Sequence, residues 1–265
     1  MAYLQVTYFA EPLLRSTTFS LILPNDGMKM SIEGNKNYER EMKTLYLLNG
    51  FFGSSLDWAH RGLAEEMASK YNIAIVLPSG ENSFYVNSKG MGSNYADFIG
   101  RDLVNYVHKT FGLSNKKEDV FVGGLSMGGF GAIHTALAFP EQFGGAFGLS
   151  SGLIINKIKG LEPGMKYEMA DFDTYTRIFG ELAGLDTSEV NPEYLVKRLK
   201  EEGREIPPIY MSCGTEDFLI EQNREFRDFL SREGVAFTYE ESSGVHDWKY
   251  WREHLEPAIK WMLGL

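Results

Sequence analysis

The sequence predicts an α/β fold in which a mainly parallel sheet is covered by helices on both faces. From about residue 44 onward, short apolar, β-rich runs alternate with segments of helical spacing, which is the pattern of βαβ units. The chain has 265 residues, of which 43% are hydrophobic, and this is enough for a sizeable core. A glycine-rich turn, GGLSMGGFG at 123–131, lies between a predicted strand and a predicted helix.

The elements follow in a simple order along the chain. Two β-rich runs at 3–9 and 17–23, joined by a polar turn that contains proline, are predicted to form an antiparallel opening pair. Later strands are predicted at 44–48, 72–78, 119–124, 144–151, 207–214 and 235–241, and helices at 95–111, 127–139, 219–234 and 247–263. Pro140 ends the second of these helices, and Gly234 lies just past the third.

One segment, residues 152–206, departs from this alternation. It is charged, it is mostly helical in its later part, and it separates two core strands. No internal repeat or low-complexity tract is evident. We therefore interpret the chain as a single domain, 1–265, that carries a small inserted cap or lid at 152–206.

Composition excludes several functional classes. The net charge of −10 and the absence of a basic run disfavour a nucleic-acid partner. The N-terminus has no secretory pattern and no window is apolar enough to span a membrane, so we expect no membrane partner. A single cysteine, Cys213, fits a reducing compartment, and we expect a cytoplasmic protein unless a leader has been removed. The sequence leaves open whether the chain forms a homo-oligomer.

Ser126 is the candidate nucleophile. The Gly-x-Ser-x-Gly pattern around it lies in the strand-turn-helix context that a nucleophile elbow requires. Gly124 and Gly128 would let strand and helix approach closely, and the helix N-terminus would offer N–H groups to an oxyanion. The alternative is a tight turn with an incidental serine.

A serine nucleophile needs a base and an acid, which follow it here in the order Ser, Asp/Glu, His. His246 is the candidate base because it lies in a glycine-bearing loop after a core strand. The other histidines fall within or at the start of helices: His60, His108, His134 and His254. For the acid we prefer Asp217 over Glu216, since it lies further into its loop, while Asp247 could simply cap the final helix.

The oxyanion hole requires a second main-chain N–H besides that of Met127. The loop after strand 44–48 contains Asn49, Gly50, Phe51 and Phe52. Phe51 is the best donor candidate and Phe52 is second. In the alternative interpretation, Asn49 and Gly50 merely form a turn and the two phenylalanine rings pack beneath the helix.

Taken together, these segments resemble the putative-esterase family of α/β-hydrolases, which includes esterase D (S-formylglutathione hydrolase), tributyrin, feruloyl and acetyl-xylan esterases, and mycolyltransferases. The resemblance covers nearly the whole chain, through LLNGFFGSSLDW, PSGENSFYVN, GGLSMGGFGA, SCGTEDFL and SGVHDWKYW. It implies an α/β-hydrolase fold and the site residues Ser126, Asp217, His246, Phe51 and Met127. Asn49 departs from the family pattern, since many relatives have His-Gly at this point.

The resemblance also implies a substrate-side loop at GENSFYVN. Phe52, Trp58, Ser83 and Tyr85 are therefore candidate substrate-binding residues, with ordinary aromatic packing as the alternative. Apolar residues of the insertion are expected to shape specificity: Leu153, Ile154, Phe172, Tyr175 and Phe179.

No metal or other cofactor is expected, because the sequence has no paired cysteine motif, no two histidines at ligand spacing and no phosphate-binding loop. Cys213 is interpreted as a small buried side chain. We expect a serine carboxylic-ester hydrolase for small-molecule esters of short acyl groups. The family resemblance implies a narrower role, the deacylation of acetyl or feruloyl esters of plant-derived sugars. The alternatives are an S-formylglutathione hydrolase, an acyltransferase, or an inactive scaffold used for binding.

Overall fold

The computed structural model describes residues 1–27 and 32–265, and its centre is a sheet of eight strands. These strands are β1 (Ala2–Ala10), β2 (Arg15–Leu23), β3 (Lys43–Leu48), β4 (Ile73–Leu77), β5 (Val120–Leu125), β6 (Gly145–Leu149), β9 (Ile209–Gly214) and β10 (Phe237–Ser242). The two remaining strands, β7 (Lys166–Tyr167) and β8 (Ala170–Asp171), form a separate antiparallel hairpin.

The spatial order of the large sheet is β1-β2-β4-β3-β5-β6-β9-β10. β2 pairs antiparallel with both β1 and β4, and every pairing from β4 to β10 is parallel. The predicted antiparallel opening and the mainly parallel sheet are therefore confirmed. Parallel strands end at the same edge of the sheet, so the loops that follow β3, β5 and β9 meet there.

Helices connect the strands. They are α1 (Asp57–Arg61), α2 (Ala64–Tyr71), α3 (Tyr95–Asp97), α4 (Leu103–Phe111), α5 (Met127–Ala138), α6 (Ile155–Ile158), α7 (Phe172–Phe179), α8 (Pro192–Glu201), α9 (Ile220–Arg232) and α10 (Trp248–Leu263). A π-helical turn, Phe98–Asp102, joins α3 to α4, so the predicted helix over 95–111 is continuous. After α9, Gly234 has a φ of +68°, as expected for a residue that ends a helix.

The sheet is buried on both faces, which explains why its strands are almost uniformly apolar. In β3, Leu45 and Leu47 belong to a core cluster that includes residues of α2 and α10. Tyr46 and Leu48 point the other way, into a cluster that includes residues of α4, α5 and α9. The expectation of helices on both faces is confirmed.

Residues 152–206 lie between β6 and β9 and contain α6, the β7–β8 hairpin, α7 and α8. α8 contacts α5, and the ring of His134 on α5 is 2.9 Å from the Glu189 carbonyl oxygen. The insertion is therefore tied to the helix that follows Ser126. That it acts as a cap stays a prediction. Over the described ranges, no helix is long and apolar enough to cross a membrane.

Candidate active site

Ser126 occupies the turn between β5 and α5. Its backbone has φ +54° and ψ −119°, a conformation that is strained for a residue with a side chain. Hydrogen bonds hold it there: its N–H donates to the Leu149 carbonyl (2.9 Å), and its carbonyl accepts from the Gly152 N–H (2.8 Å). The strain is therefore maintained by β6 and the start of the insertion.

The two glycines that flank Ser126 allow the close approach that this turn needs. A Cβ on Gly124 would lie 2.5 Å from the Gly128 carbonyl oxygen, and one on Gly128 would lie 2.4 Å from that of Leu48. Both distances are too short for a real side chain. The expected reason for these glycines is therefore confirmed.

The side chains of Ser126, His246 and Asp217 form a hydrogen-bonded chain. His246 Nε2 is 3.0 Å from Ser126 Oγ. His246 Nδ1 is 2.9 Å from Asp217 Oδ2 and 3.1 Å from its Oδ1. The three residues come from the loops after β5, β9 and β10, and the fold brings them together at the predicted edge of the sheet.

The surroundings fix the acid and the imidazole in place. The Asp217 side chain is fully buried, and its Oδ1 accepts a second hydrogen bond from the Leu219 N–H (2.9 Å). The His246 ring lies between Phe218 and Trp251, with ring centroids 4.6 Å and 4.9 Å away. A buried carboxylate beside Nδ1 favours the tautomer that leaves Nε2 free to accept a proton.

Glu216 and Asp247, the other two candidate acids, form hydrogen bonds to main-chain N–H groups instead. Glu216 Oε2 accepts a hydrogen bond from the Gly244 N–H (2.6 Å), which ties down the loop that carries His246. Asp247 caps α10 by accepting from the Tyr250 N–H (2.9 Å). The capping interpretation of Asp247 is confirmed, and neither carboxylate is placed against the His246 ring.

Two main-chain N–H groups beside Ser126, those of Phe51 and Met127, remain available to bind an oxyanion, whereas that of Phe52 does not. The Phe52 N–H donates to Asn82 Oδ1 (2.8 Å), so it is already engaged. The N–H groups of Phe51 and Met127 have no hydrogen-bond acceptor within the part of the chain that the structure describes. Both residues line the cavity at Ser126, where an oxyanion hole would have to be.

Asn49, at which the sequence departs from the family pattern, holds this loop in place through hydrogen bonds of its side chain. Its side chain is buried and donates to the Gly50 carbonyl (2.8 Å). Its Oδ1 accepts from the Gly80 N–H (3.1 Å) and from the Tyr85 hydroxyl (2.9 Å). The amide therefore joins the Phe51 loop to the loop at Gly80, and burial raises the pKa of the Tyr85 hydroxyl, which keeps it a neutral donor.

Tyr85 and Trp58 are candidate substrate-binding residues in the sequence, and their burial favours the alternative, ordinary packing. Tyr85 is completely buried and forms part of neither cavity at the site. Trp58 is 1% exposed, donates through Nε1 to the Leu48 carbonyl (2.9 Å) and packs on Trp248. Both aromatics are more stable buried with their polar atom satisfied than exposed in a pocket, so ordinary packing is the better interpretation.

Two cavities meet near Ser126. The smaller has a volume of about 30 Å³, and its walls are mostly apolar: Phe51, Phe84, Met127, Gly152, Ile154, Met169, Tyr175, Phe218 and Leu219, with Glu168 at one side. The larger is an open groove of about 740 Å³. Phe52, which is 69% exposed, and Ser83 line the groove.

The insertion contributes to both cavities, but through residues that sequence reasoning only partly identified. Ile154 and Tyr175 line the small cavity as expected. Leu153 and Phe179 are buried in the core instead, and the partly buried Phe172 packs against it. Glu168 and Met169, at the tip of the β7–β8 hairpin, line both cavities and were missed. No local pattern marks them, because a two-residue turn in a charged segment has no distinctive signature.

Cys213 is buried, and burial raises the pKa of its thiol, so it is an inert core side chain as expected. Across the described residues, no three side chains of His, Cys, Asp or Glu come together in a way that could hold a metal ion.

The chain resembles known enzymes over almost its full length. Residues 13–262 match the family model described as "Putative esterase". An acetyl esterase of Caldicellulosiruptor saccharolyticus is 38% identical over 262 residues, covering 99% of this chain and 98% of that protein.

Two solved structures from Staphylococcus aureus have the same fold. The fluorophosphonate-binding serine hydrolase F is 31% identical with a TM-score of 0.84. An S-formylglutathione hydrolase is 30% identical with a TM-score of 0.82. Each alignment covers 99% of this chain and 98% of the other. The chain therefore belongs to the "Putative esterase" family and is a carboxylesterase with the α/β-hydrolase fold.

Proposed function

We propose that this esterase acts through Ser126 as nucleophile, His246 as general base and acid, and Asp217 as the group that orients His246. The observation that carries the proposal is the continuous chain of short distances from Ser126 Oγ through the imidazole to the buried carboxylate. A serine hydroxyl is a poor nucleophile alone, and this arrangement is what activates it.

The proposed steps use each of these groups in turn. Ser126 Oγ attacks the ester carbonyl as its proton passes to His246 Nε2, and Asp217 stabilises the imidazolium through Nδ1–H. The N–H groups of Phe51 and Met127 donate to the oxyanion. As the C–O bond breaks, the alcohol takes the proton from Nε2. Water then gives a proton to the same nitrogen and attacks the acyl carbon. As the bond to Ser126 Oγ breaks, Nε2 returns the proton to this oxygen, which releases the acid and restores Ser126 and the neutral imidazole.

The acyl group is short in this proposal. A cavity of about 30 Å³ has room for about two water molecules, so it suits an acetyl group and is too small for a feruloyl group. Its walls are mostly apolar, which suits the methyl group of an acetyl ester. The similarity to an acetyl esterase agrees with this choice.

The alcohol part of the ester would lie in the larger groove. That groove is polar, with hydroxyl and amide groups from Asn82, Ser83, Ser88, Ser93 and Thr174, and Phe52 offers an exposed ring. We infer a polar alcohol, such as a sugar, rather than a lipid.

A second candidate is the hydrolysis of S-formylglutathione, favoured by one observation. Lys89, Lys166 and Arg177 all line the groove and could face the carboxylates of glutathione. The sequence shows no basic cluster, because these residues are far apart along the chain. A formyl group would also fit the small cavity.

Acylation of Ser126 tests the proposed mechanism. We expect p-nitrophenyl acetate to give a burst of p-nitrophenol or steady turnover, and a fluorophosphonate to add its mass to one residue. Ser126→Ala should lose turnover by at least about 1000-fold and take up no probe. Ser231→Ala, at an exposed serine on α9, is the matched control and should behave as wild type. Equal turnover by Ser126→Ala would overturn the mechanism.

The substrate is tested separately by comparing kcat/KM for acetylated sugars, feruloyl esters and S-formylglutathione. We expect the acetyl esters to exceed the feruloyl esters. A clear preference for S-formylglutathione, lost when Lys166 and Arg177 are both changed to Ala, would select the second candidate instead.

A further inference from the structure

The small cavity at Ser126 and the large groove are neighbours that share a wall. Three residues line both spaces: Phe51, Glu168 and Met169. Phe51 supplies one of the two proposed oxyanion donors, and its ring packs on Phe52 and Phe84. Glu168 and Met169 form the tip of the β7–β8 hairpin. This tip is the part of the shared wall that the insertion contributes.

The hairpin holds its tip in a defined place. Tyr167 pairs with Ala170 across a two-residue turn, and Glu168 has a φ of +47°, the left-handed backbone that such turns require. The Tyr167 carbonyl accepts from the Tyr175 hydroxyl (2.9 Å). The Tyr167 hydroxyl is hydrogen-bonded to Gln222 on α9. The base of the turn is therefore anchored on two helices.

Met169 is the apolar member of this tip. Its side chain is 50% exposed, so one part contacts the small cavity and the groove while the rest meets solvent. A thioether chain is flexible and carries no charge. It can lie between the two spaces without the desolvation cost that the Glu168 carboxylate would incur there.

We propose that Met169 limits the length of the acyl group that the enzyme accepts, by closing the small cavity off from the groove. This rests on the proposed function of Ser126. An acetyl group ends within the small cavity, whereas the third and fourth carbons of a butyryl group would have to occupy the position of the Met169 side chain. Shortening that side chain joins the two spaces beside the Phe51 ring, which lines both of them and gives these carbons an apolar surface on which to pack.

The experiment compares p-nitrophenyl acetate, butyrate and hexanoate as substrates of wild type and Met169→Ala. Each methylene that becomes buried is worth about fourfold in binding. Butyrate has two more methylenes than acetate, so we expect the ratio of kcat/KM for butyrate over acetate to rise by up to about 16-fold in Met169→Ala, with a further rise for hexanoate. A variant that folds poorly would lose activity on all three esters and would not gain on the longer ones.

Two variants control for changes in the hairpin itself. Met165 precedes β7, is also half-exposed and lines neither cavity, so Met165→Ala should keep the wild-type ratio. Met169→Leu restores an apolar side chain and should bring the ratio back toward wild type. An unchanged ratio in Met169→Ala, or an equal rise in Met165→Ala, overturns the proposal. The absence of Ser126-dependent hydrolysis in wild type would instead overturn the proposed function on which it rests.

Discussion

Acidification from pH 7.5 to pH 5 should destabilise the fold through one buried histidine, His134. It lies on α5, the helix that begins after Ser126, and its ring stacks on Phe130. Its Nε2 is 2.9 Å from the Glu189 carbonyl oxygen, so Nε2 carries the hydrogen and donates. Its Nδ1 is buried without a partner among the described residues. A second proton would have to go on this nitrogen, where nothing accepts it.

The size of the effect follows from the pKa. Burial lowers the pKa of His134 from 6.5 to about 4, partly offset by the Glu189 carbonyl, while Arg198 adds a small lowering. The folded state favours the neutral ring, so the contribution of His134 to the free energy of unfolding is complete above pH 6.5. It is lost as the pH falls toward 4, where the loss reaches about 3 kcal/mol. At pH 5 the loss is about 2 kcal/mol, which corresponds to about 4 °C in Tm for a chain of this length.

The assay is thermal unfolding of wild type and His134→Gln at pH 7.5 and pH 5. Glutamine keeps an N–H donor for the Glu189 carbonyl but does not titrate. Effects of the surface carboxylates are common to both proteins and cancel in the comparison. We expect the fall in Tm on acidification to be about 4 °C larger in wild type. Equal falls in the two proteins would show that this ring is not the source of the pH dependence.

Three further variants test the site. Asp217→Asn should lower kcat by about 10³- to 10⁴-fold at neutral pH, because the amide would favour the wrong tautomer of the imidazole. Glu216→Gln should cost less than about tenfold, since its oxygen can still accept from a main-chain N–H; a larger loss in Glu216→Gln would reverse this assignment. In Gly152→Ala, the new Cβ would lie 3.3 Å from Phe84, on the wall of the small cavity, and would take up space that the acyl group needs. We expect kcat/KM for acetyl esters to fall about tenfold with little change in Tm, and unchanged kinetics would exclude this.

The choice between Glu216 and Asp217 shows where sequence reasoning ends. Both residues follow β9, and position in the loop was the only basis for preferring the second. The turn after the strand directs one carboxylate into the core and the other toward the Gly244 N–H. A difference of one residue in a turn reverses the direction of a side chain, and only the folded backbone shows which way each one points.

Aromatic residues near the motifs show the same limit. Trp58 and Tyr85 have large apolar rings and one polar atom, which suit either a substrate pocket or a core with one internal hydrogen bond. Here the acceptors are the Leu48 carbonyl and the Asn49 side chain, and these come near only when strands β3 and β4 and their loops are assembled.

By itself, the sequence determined the alternation of strands and helices, the glycine-flanked turn at Ser126 and the three loops that carry Ser126, Asp217 and His246. These are local properties, since apolar periodicity and glycine spacing act over a few residues. Only the tertiary structure decided which carboxylate faces the imidazole, which N–H groups stay free and how the β7–β8 hairpin divides the space beside the serine. Those features depend on distances between segments far apart along the chain, and packing sets these distances.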